Sequence, residues 1–447
     1  MRFWLVVAAA AAAWMGAPAA AETVVVTAGQ MLDVATGELK PEPVVVITDG
    51  RIASVVTRGG ARPLIPEGAK RIDLPGKTIL PGLIDMHVHL TSLAEIGGYR
   101  TLQYTDSFWT VVGVANAKKT LDAGFTTVRN VGSSDFADVG LQEAIDGGFA
   151  EGPRIVPAAY AIGATGGHCD AGGLPPSMDK KQPSVIDSPA DARAKVRWLH
   201  KYGARVIKIC ATGGVFSLGD SVGGQQLAAD ELKAIADEAH LLGLKVAAHA
   251  HGDAGIRAAI LAGIDTIEHG SLASEETLKL AAERKTWFSM DIYNDDYILA
   301  TGTENGTEQE SLDKEKMIGR IQRETFRKGV RMGVPMVFGS DAGVYPHGDN
   351  ARQFGKMVEW GMTPVQAIRA ATWSAAQALG RDDVGRIAPG AWGDLLVVEG
   401  DPTRDVGVLL TPAAVIKGGK LVTPTNPPAS SRPALPVLGA KGTDAGR

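Results

Sequence analysis

Thr78-Ile79-Leu80-Pro81-Gly82-Leu83-Ile84-Asp85-Met86-His87-Val88-His89-Leu90 is an apolar run that ends in two histidines two positions apart. Read as a strand, it projects alternate side chains to opposite sides, so His87 and His89 share one face and reach one metal ion together. A lone His-x-His pair is more often one packed and one solvated histidine. The rest of the chain changes that balance, because Lys208, His249, His269 and Asp341 each stand in or just after another apolar strand.

Working outward, short apolar stretches recur at 78–86, 126–131, 155–160, 206–211, 245–250, 265–268, 286–291 and 335–339. Between them, stretches such as 230–242 and 252–262 space their apolar residues as helices do. Eight strand–helix units predict an α/β fold, a (β/α)8 TIM barrel over 78–384. A doubly wound open sheet is the alternative, but no Gly-x-Gly-x-x-Gly follows a strand to support dinucleotide binding.

Both chain ends read differently. Short strands at 23–27, 44–48, 51–56 and 70–74, with an Asp49-Gly50 hairpin turn, are too few for an independent domain. Matching strands near 393–398 and 415–422 predict that 22–77 and 385–423 pair into one small β-sandwich. Residues 424–447 are rich in Pro, Ala, Ser and Gly and read as a disordered tail. Residues 1–21 read as a secretory signal peptide: Arg2, an apolar Phe3 to Met15, and small residues Ala19-Ala20-Ala21 before Glu22. An uncleaved membrane anchor is the alternative. The expected location is therefore periplasmic or secreted, with no membrane association after signal cleavage.

With 45% hydrophobic and 21% charged residues among 447, the chain has the composition of a large globular protein. A formal charge of −5 offers no footprint for nucleic acid or anionic lipid. The only cysteines are Cys169 and Cys210. Export permits a disulfide, yet both adjoin candidate site residues, and we expect free thiols.

In such a barrel, chemistry collects at the carboxyl ends of the strands. Of nine histidines, only His200 and His240 fall inside helical stretches; the other seven lie at strand ends or in the loops after them. Lys208 is unusual, since an amine inside an apolar strand needs compensation. Either a carboxylate or solvent at the barrel mouth answers it, or the neutral amine takes up CO2 as a carbamate. In the second case four histidines, a bridging carbamate and one Asp suit two divalent ions.

These segments resemble the amidohydrolase superfamily, in the imidazolonepropionase-related branch with Xaa-Pro dipeptidase-like and ochratoxin-hydrolysing enzymes. The resemblance rests on 81–89, on Gly124-Phe125-Thr126-Thr127-Val128-Arg129-Asn130, Val206-Ile207-Lys208-Ile209, Ala248-His249-Ala250-His251, Ile267-Glu268-His269-Gly270 and Gly339-Ser340-Asp341, with Ala388 to Leu395 as the return strand. It implies one metal on His87, His89 and Asp341, a second on His249 and His269, and carboxylated Lys208 bridging them. Zinc is the default, with Mn, Co or Fe as alternatives. It also implies that a bridging hydroxide attacks a carbonyl and that Asp341 passes a proton to the leaving amine.

His168, on a Gly-rich loop, and His251 are expected to stabilise the oxyanion or hold a substrate carboxylate. Dipeptidase-like relatives are expected to carry tyrosine where this chain has His251, a departure that bears on specificity. Ser217, Tyr293 and His347 are candidate pocket residues, and Tyr104, Phe108 and Trp109 a candidate aromatic wall. The resulting expectation is a secreted homo-oligomer that hydrolyses dipeptides or N-acyl amino acids, ochratoxin A included. Hydrolysis of cyclic amides, lactones or phosphotriesters is the enzymatic alternative, and a periplasmic ligand- or metal-binding protein the non-enzymatic one.

Overall fold

The computed structural model describes residues 22–423 except 62, 171, 179 and 180. The expected signal peptide and tail lie outside the described residues. Eight short parallel strands form two arcs, pairing in sequence order within each. Leu83–Val88, Phe125–Asn130 and Arg154–Pro157 make the first; Val206–Cys210, Lys245–Ala250, Thr266–His269, Trp287–Ser289 and Met336–Val337 make the second. Backbone bonds close both seams. On one side Ile162 N–H donates to Lys208 O and Cys210 N–H to Ile162 O; on the other Met86 N–H donates to Phe338 O and Asp341 N–H to His87 O. The result is a TIM-barrel-type ring with helices outside it, among them Ala229–Leu241 and Asp253–Ala262. Both faces of the ring strands are covered, which is why they read as continuous apolar runs.

The chain ends meet in a separate eight-stranded sheet. Lys70–Pro81 pairs parallel to Thr23–Asp33 and antiparallel to Leu395–Val398, which joins the amino-terminal strands to the carboxyl-terminal ones. The Asp49-Gly50 turn links Val44–Thr48 to Arg51–Val56, both turn residues having positive φ (48° and 79°), as a type I′ hairpin requires. Val26, Ile47, Ile79, Val397 and Ile416 form part of this sheet's own apolar core. Trp392 ties it to the ring, lying between the guanidinium groups of Arg51 and Arg154 at 3.6 and 3.5 Å from the ring centroid.

Two expectations need correction. The stretch 78–86 is not one barrel strand: Thr78–Pro81 ends the long strand of the terminal sheet, and the ring begins at Leu83. The break falls at Gly82, where a Cβ would lie 2.1 Å from Thr126 Oγ1, so a side chain would block the passage between the two sheets. The cysteines are not free. Cys169, on the loop after the third strand, is disulfide-bonded to Cys210 at the end of the fourth, with Cα atoms 5.8 Å apart. Among the described residues, no helix is long and apolar enough to cross a membrane.

The bridge spans 41 residues of sequence, and closing a loop of that size contributes about 2–4 kcal/mol. A Cys169→Ser/Cys210→Ser variant should unfold at lower denaturant by that amount; an unchanged midpoint would mean the bridge adds no stability.

Candidate metal centre and active site

The carboxyl ends of the ring strands carry a crowd of imidazoles. His87 and His89 lie 5.3 Å apart by ring centroid, His87 and His269 5.0 Å, His249 and His269 4.6 Å, and His249 and His251 4.7 Å. Alternation along a strand places His87 with His89, and His249 with His251. His269 and Asp341 reach the same space by another route: both adopt left-handed backbone, with φ of 67° and 59°. That conformation is unfavourable for non-glycine residues and concentrates at functional sites.

Each of three imidazoles has one nitrogen committed outward. His87 Nδ1 bonds Glu268 Oε2 at 3.0 Å, His269 Nδ1 bonds Asp291 Oδ1 at 2.8 Å, and His249 Nε2 faces Gly213 O at 3.3 Å. Carboxylate and carbonyl acceptors fix the protonated nitrogen, leaving a lone pair on His87 Nε2, His269 Nε2 and His249 Nδ1. Asp341 Oδ1 completes the pattern. It is buried, lies 3.2 Å from the Nε2 atoms of both His87 and His89, and accepts no hydrogen bond. The Nε2 atoms of His87 and His89 beside an orphaned carboxylate oxygen fit a divalent cation.

Three sets of donor atoms lie within 4.8 Å of one another: His87, His89 and Asp341; His249, His251 and His269; and His269, Asp291 and Asp341. Shared members join them into one continuous site. Asn294 Nδ2 bonds Asp341 Oδ2 at 3.0 Å and also bonds Asp291, holding the two carboxylates in register.

Glu268 anchors this arrangement from within the ring. Arg129, fully buried, donates to Glu268 Oε1 at 2.7 Å, to Thr266 Oγ1 at 2.8 Å and to Met86 O at 2.6 Å. Burial alone would raise the Glu268 pKa, but Arg129 and His87 hold it well below the usual carboxylate range. Lys208 is 3% exposed and opens on the same cavity. Burial lowers its pKa to about 8, so a minor but appreciable share of the amine is neutral near physiological pH.

His168 stacks on His249, with centroids 4.1 Å apart and planes 20° off parallel. Gly214 makes room: a Cβ there would lie 2.4 Å from His168 Cε1 and 2.8 Å from His249 Nε2. Behind His168 runs a polar chain in which Nδ1 meets Ser217 Oγ at 2.9 Å, Ser217 Oγ meets Asp220 at 2.9 Å, and Asp220 pairs with Lys314 at 2.9 Å. A carboxylate paired with lysine only accepts. Ser217 therefore donates its single proton to Asp220, and His168 Nδ1–H donates to Ser217. This leaves His168 Nε2 as an acceptor in the free protein. Burial lowers the His168 pKa to about 3 and holds His251 well below its ordinary value. Neutral imidazoles carry no charge with which to hold a carboxylate.

The donors open into an inner chamber of about 330 Å³ that continues into an outer vestibule of about 1040 Å³. Tyr104 and Trp109 line the vestibule, and Phe108 stacks on Tyr104 at 4.4 Å from behind. Ser217, Tyr293 and His347 line neither space, contrary to expectation. Ser217 stands behind His168. Tyr293 packs edge-on against Tyr345, and His347 is spent on Thr120 Oγ1 and His89 O.

The sequence signature described as "Amidohydrolase family" spans residues 78–422. The chain belongs to the amidohydrolase family. Ochratoxinase of Aspergillus niger is 31% identical over 372 residues, covering 77% of this chain and 75% of that protein. A solved Xaa-Pro dipeptidase with methionine bound in its active site aligns at TM-score 0.85 and 34% identity, over 90% of this chain and 100% of that one. A prolidase complexed with N-methylphosphonate-L-proline aligns at TM-score 0.82 and 32% identity, over 90% and 100%. This amidohydrolase is accordingly a hydrolase of amide bonds, in a family that is generally metal-dependent.

Reading the sequence missed several of this amidohydrolase's site residues. Arg129 and Glu268 were findable, since each is a charge inside an apolar strand, the argument that flagged Lys208. Asp291 follows a strand as Asp341 does. Asn294, Glu315 and Gln322 lie on helices and carry no local signal. Arg129→Met should cost about 3–5 kcal/mol in denaturant unfolding, because Glu268 is left buried and unpaired. Arg129→Met/Glu268→Gln should lose less than the single variant; an equal or larger loss would remove the pair from the account.

Proposed function

We propose that this chain is an exported binuclear metallohydrolase that cleaves the amide bond of dipeptides or N-acyl amino acids, ochratoxin A among them. The observation that carries the reading is the buried, unbonded Asp341 Oδ1 facing two imidazole nitrogens. In this reading His87, His89 and Asp341 hold one divalent ion, His249 and His269 the other, and Lys208, carboxylated by CO2, bridges them. Zinc is the default ion. When bound, such ions polarise a carbonyl and lower the pKa of a coordinated water.

The chain's own groups supply the rest. Asn294 holds Asp341 through Oδ2, and Asp341 carries a proton to the departing amine. His168 Nε2 accepts an N–H from the substrate. The Cys169–Cys210 bridge ties the loop bearing His168 to the strand bearing Lys208. Residues 83–384 would form the (β/α)8 barrel proper, and 22–81 with 385–423 a β-sandwich. Signal cleavage, periplasmic or secreted location and assembly into a homo-oligomer belong to the same proposal.

The first test is turnover of dipeptides, N-acyl amino acids and ochratoxin A by wild type and Lys208→Ala, with metal counted on the same samples. Lys208→Ala should lose one or both ions and at least about 100-fold in kcat; full metal and full turnover would overturn the bridge. A second test uses apoprotein reloaded with zinc at fixed dissolved CO2. Only the neutral amine reacts, and its fraction grows as pH rises through the Lys208 pKa of about 8. Recovery should therefore quicken about tenfold per pH unit below 8 and level off above it; a rate independent of pH would exclude carboxylation at Lys208.

A further inference from the structure

The helix Gln309–Met332 sends Glu315, Ile318 and Gln322, spaced to share one face, to the wall of the inner chamber. Gln322 is committed, donating to Asp291 Oδ1 at 3.0 Å. Glu315 is not. It is 4% exposed, it lines the cavity, and among the described residues it forms no hydrogen bond or salt bridge.

The charges that act on it are mostly its own sign: Asp291, Asp295 and Asp341 against the single cation Arg323. Arg323 is already spent, donating to Ile292 O and pairing with Asp295 at 3.2 Å and Asp296 at 2.8 Å. Lys314, the helix's neighbouring cation, is held by Asp220 and Glu310, both at 2.9 Å. Among the described residues, Lys208 is the only lysine or arginine lining the chamber. Burial and these acids push Glu315 up to about 8. It belongs to none of the three donor sets able to hold a metal ion. An unpartnered buried carboxyl is costly unless something completes it, and the chamber wall supplies no cation that does.

We propose that Glu315 binds the free ammonium group of the substrate, which selects dipeptides over N-acyl amino acids of the same shape. The inference rests on the amide-hydrolase reading of this site and narrows it. An entering ammonium ion pairs with the carboxylate, and the proton Glu315 carried passes to water. The pairing forms at a buried position in the chamber wall, where a missing partner is penalised far more than on a surface. An uncharged acyl group in the same place leaves Glu315 as it is in the free protein and gains nothing from it.

The test uses the metal-loaded full chain, wild type and Glu315→Gln, with two substrates that differ only in the ammonium: Leu-Phe and 4-methylpentanoyl-Phe. The readout is the ratio of their kcat/KM values within each protein, which is unaffected if part of a variant sample is unfolded. Wild type should favour Leu-Phe by about 30-fold or more, and Glu315→Gln should bring the ratio close to one, chiefly through KM for Leu-Phe. No preference in wild type, or a preference that survives Glu315→Gln, would overturn the proposal. If wild type cleaves neither compound, the substrate class has failed instead. Calorimetric binding of leucinamide against 4-methylpentanamide then decides on Glu315 alone: tighter leucinamide binding that Glu315→Gln abolishes supports the subsite, and equal binding rejects it.

Discussion

The buried contact between Arg129 and Glu268 is the constraint on which the site depends. A guanidinium with no access to water has to spend its donors on protein, and Arg129 spends them on Met86 O, Thr266 Oγ1 and Glu268. Those partners belong to the first and sixth ring strands, while Arg129 sits on the second. The ion pair therefore fixes non-adjacent strands relative to one another across the ring. Its second carboxylate oxygen fixes the tautomer of His87. One charged pair thus sets both the geometry of the scaffold and the electronic state of a ligand-type residue.

The same logic extends around the site. Asp291 does for His269 what Glu268 does for His87, and Asn294 couples Asp291 to Asp341. Asp220, through Ser217, does it for His168. His87, His168 and His269 are each fixed by a carboxylate, directly or through Ser217, so each presents its other ring nitrogen in a set direction. Supporting hydrogen bonds of this kind orient a metal site, and here they come from several different strand ends and helices.

Much of the fold was legible because its signals are local. Apolar runs with turn residues between them are what a parallel ring requires, and His-x-His or Gly-Ser-Asp at their ends marked where the chemistry collects. What escaped depends on relations between distant segments. Nothing near Gly82 shows that Thr126 closes in on it from another strand, so the boundary between the two sheets was placed too early. Nothing beside Cys169 shows that its loop returns to Cys210. Ser217, Tyr293 and His347 were offered because they follow strands, yet whether a loop residue faces the cavity or braces a neighbour is decided by tertiary packing. Glu315, in the middle of a long amphipathic helix, looks like any solvated glutamate until the helix is docked.

His269 and Asp341 stand on left-handed backbone, a conformation that glycine adopts freely and other residues resist. Stability considered by itself would favour glycine at both positions. Glycine at either position would relax the backbone and at the same time remove a donor atom from the cavity, so there the stability of the fold and the composition of the site pull in opposite directions.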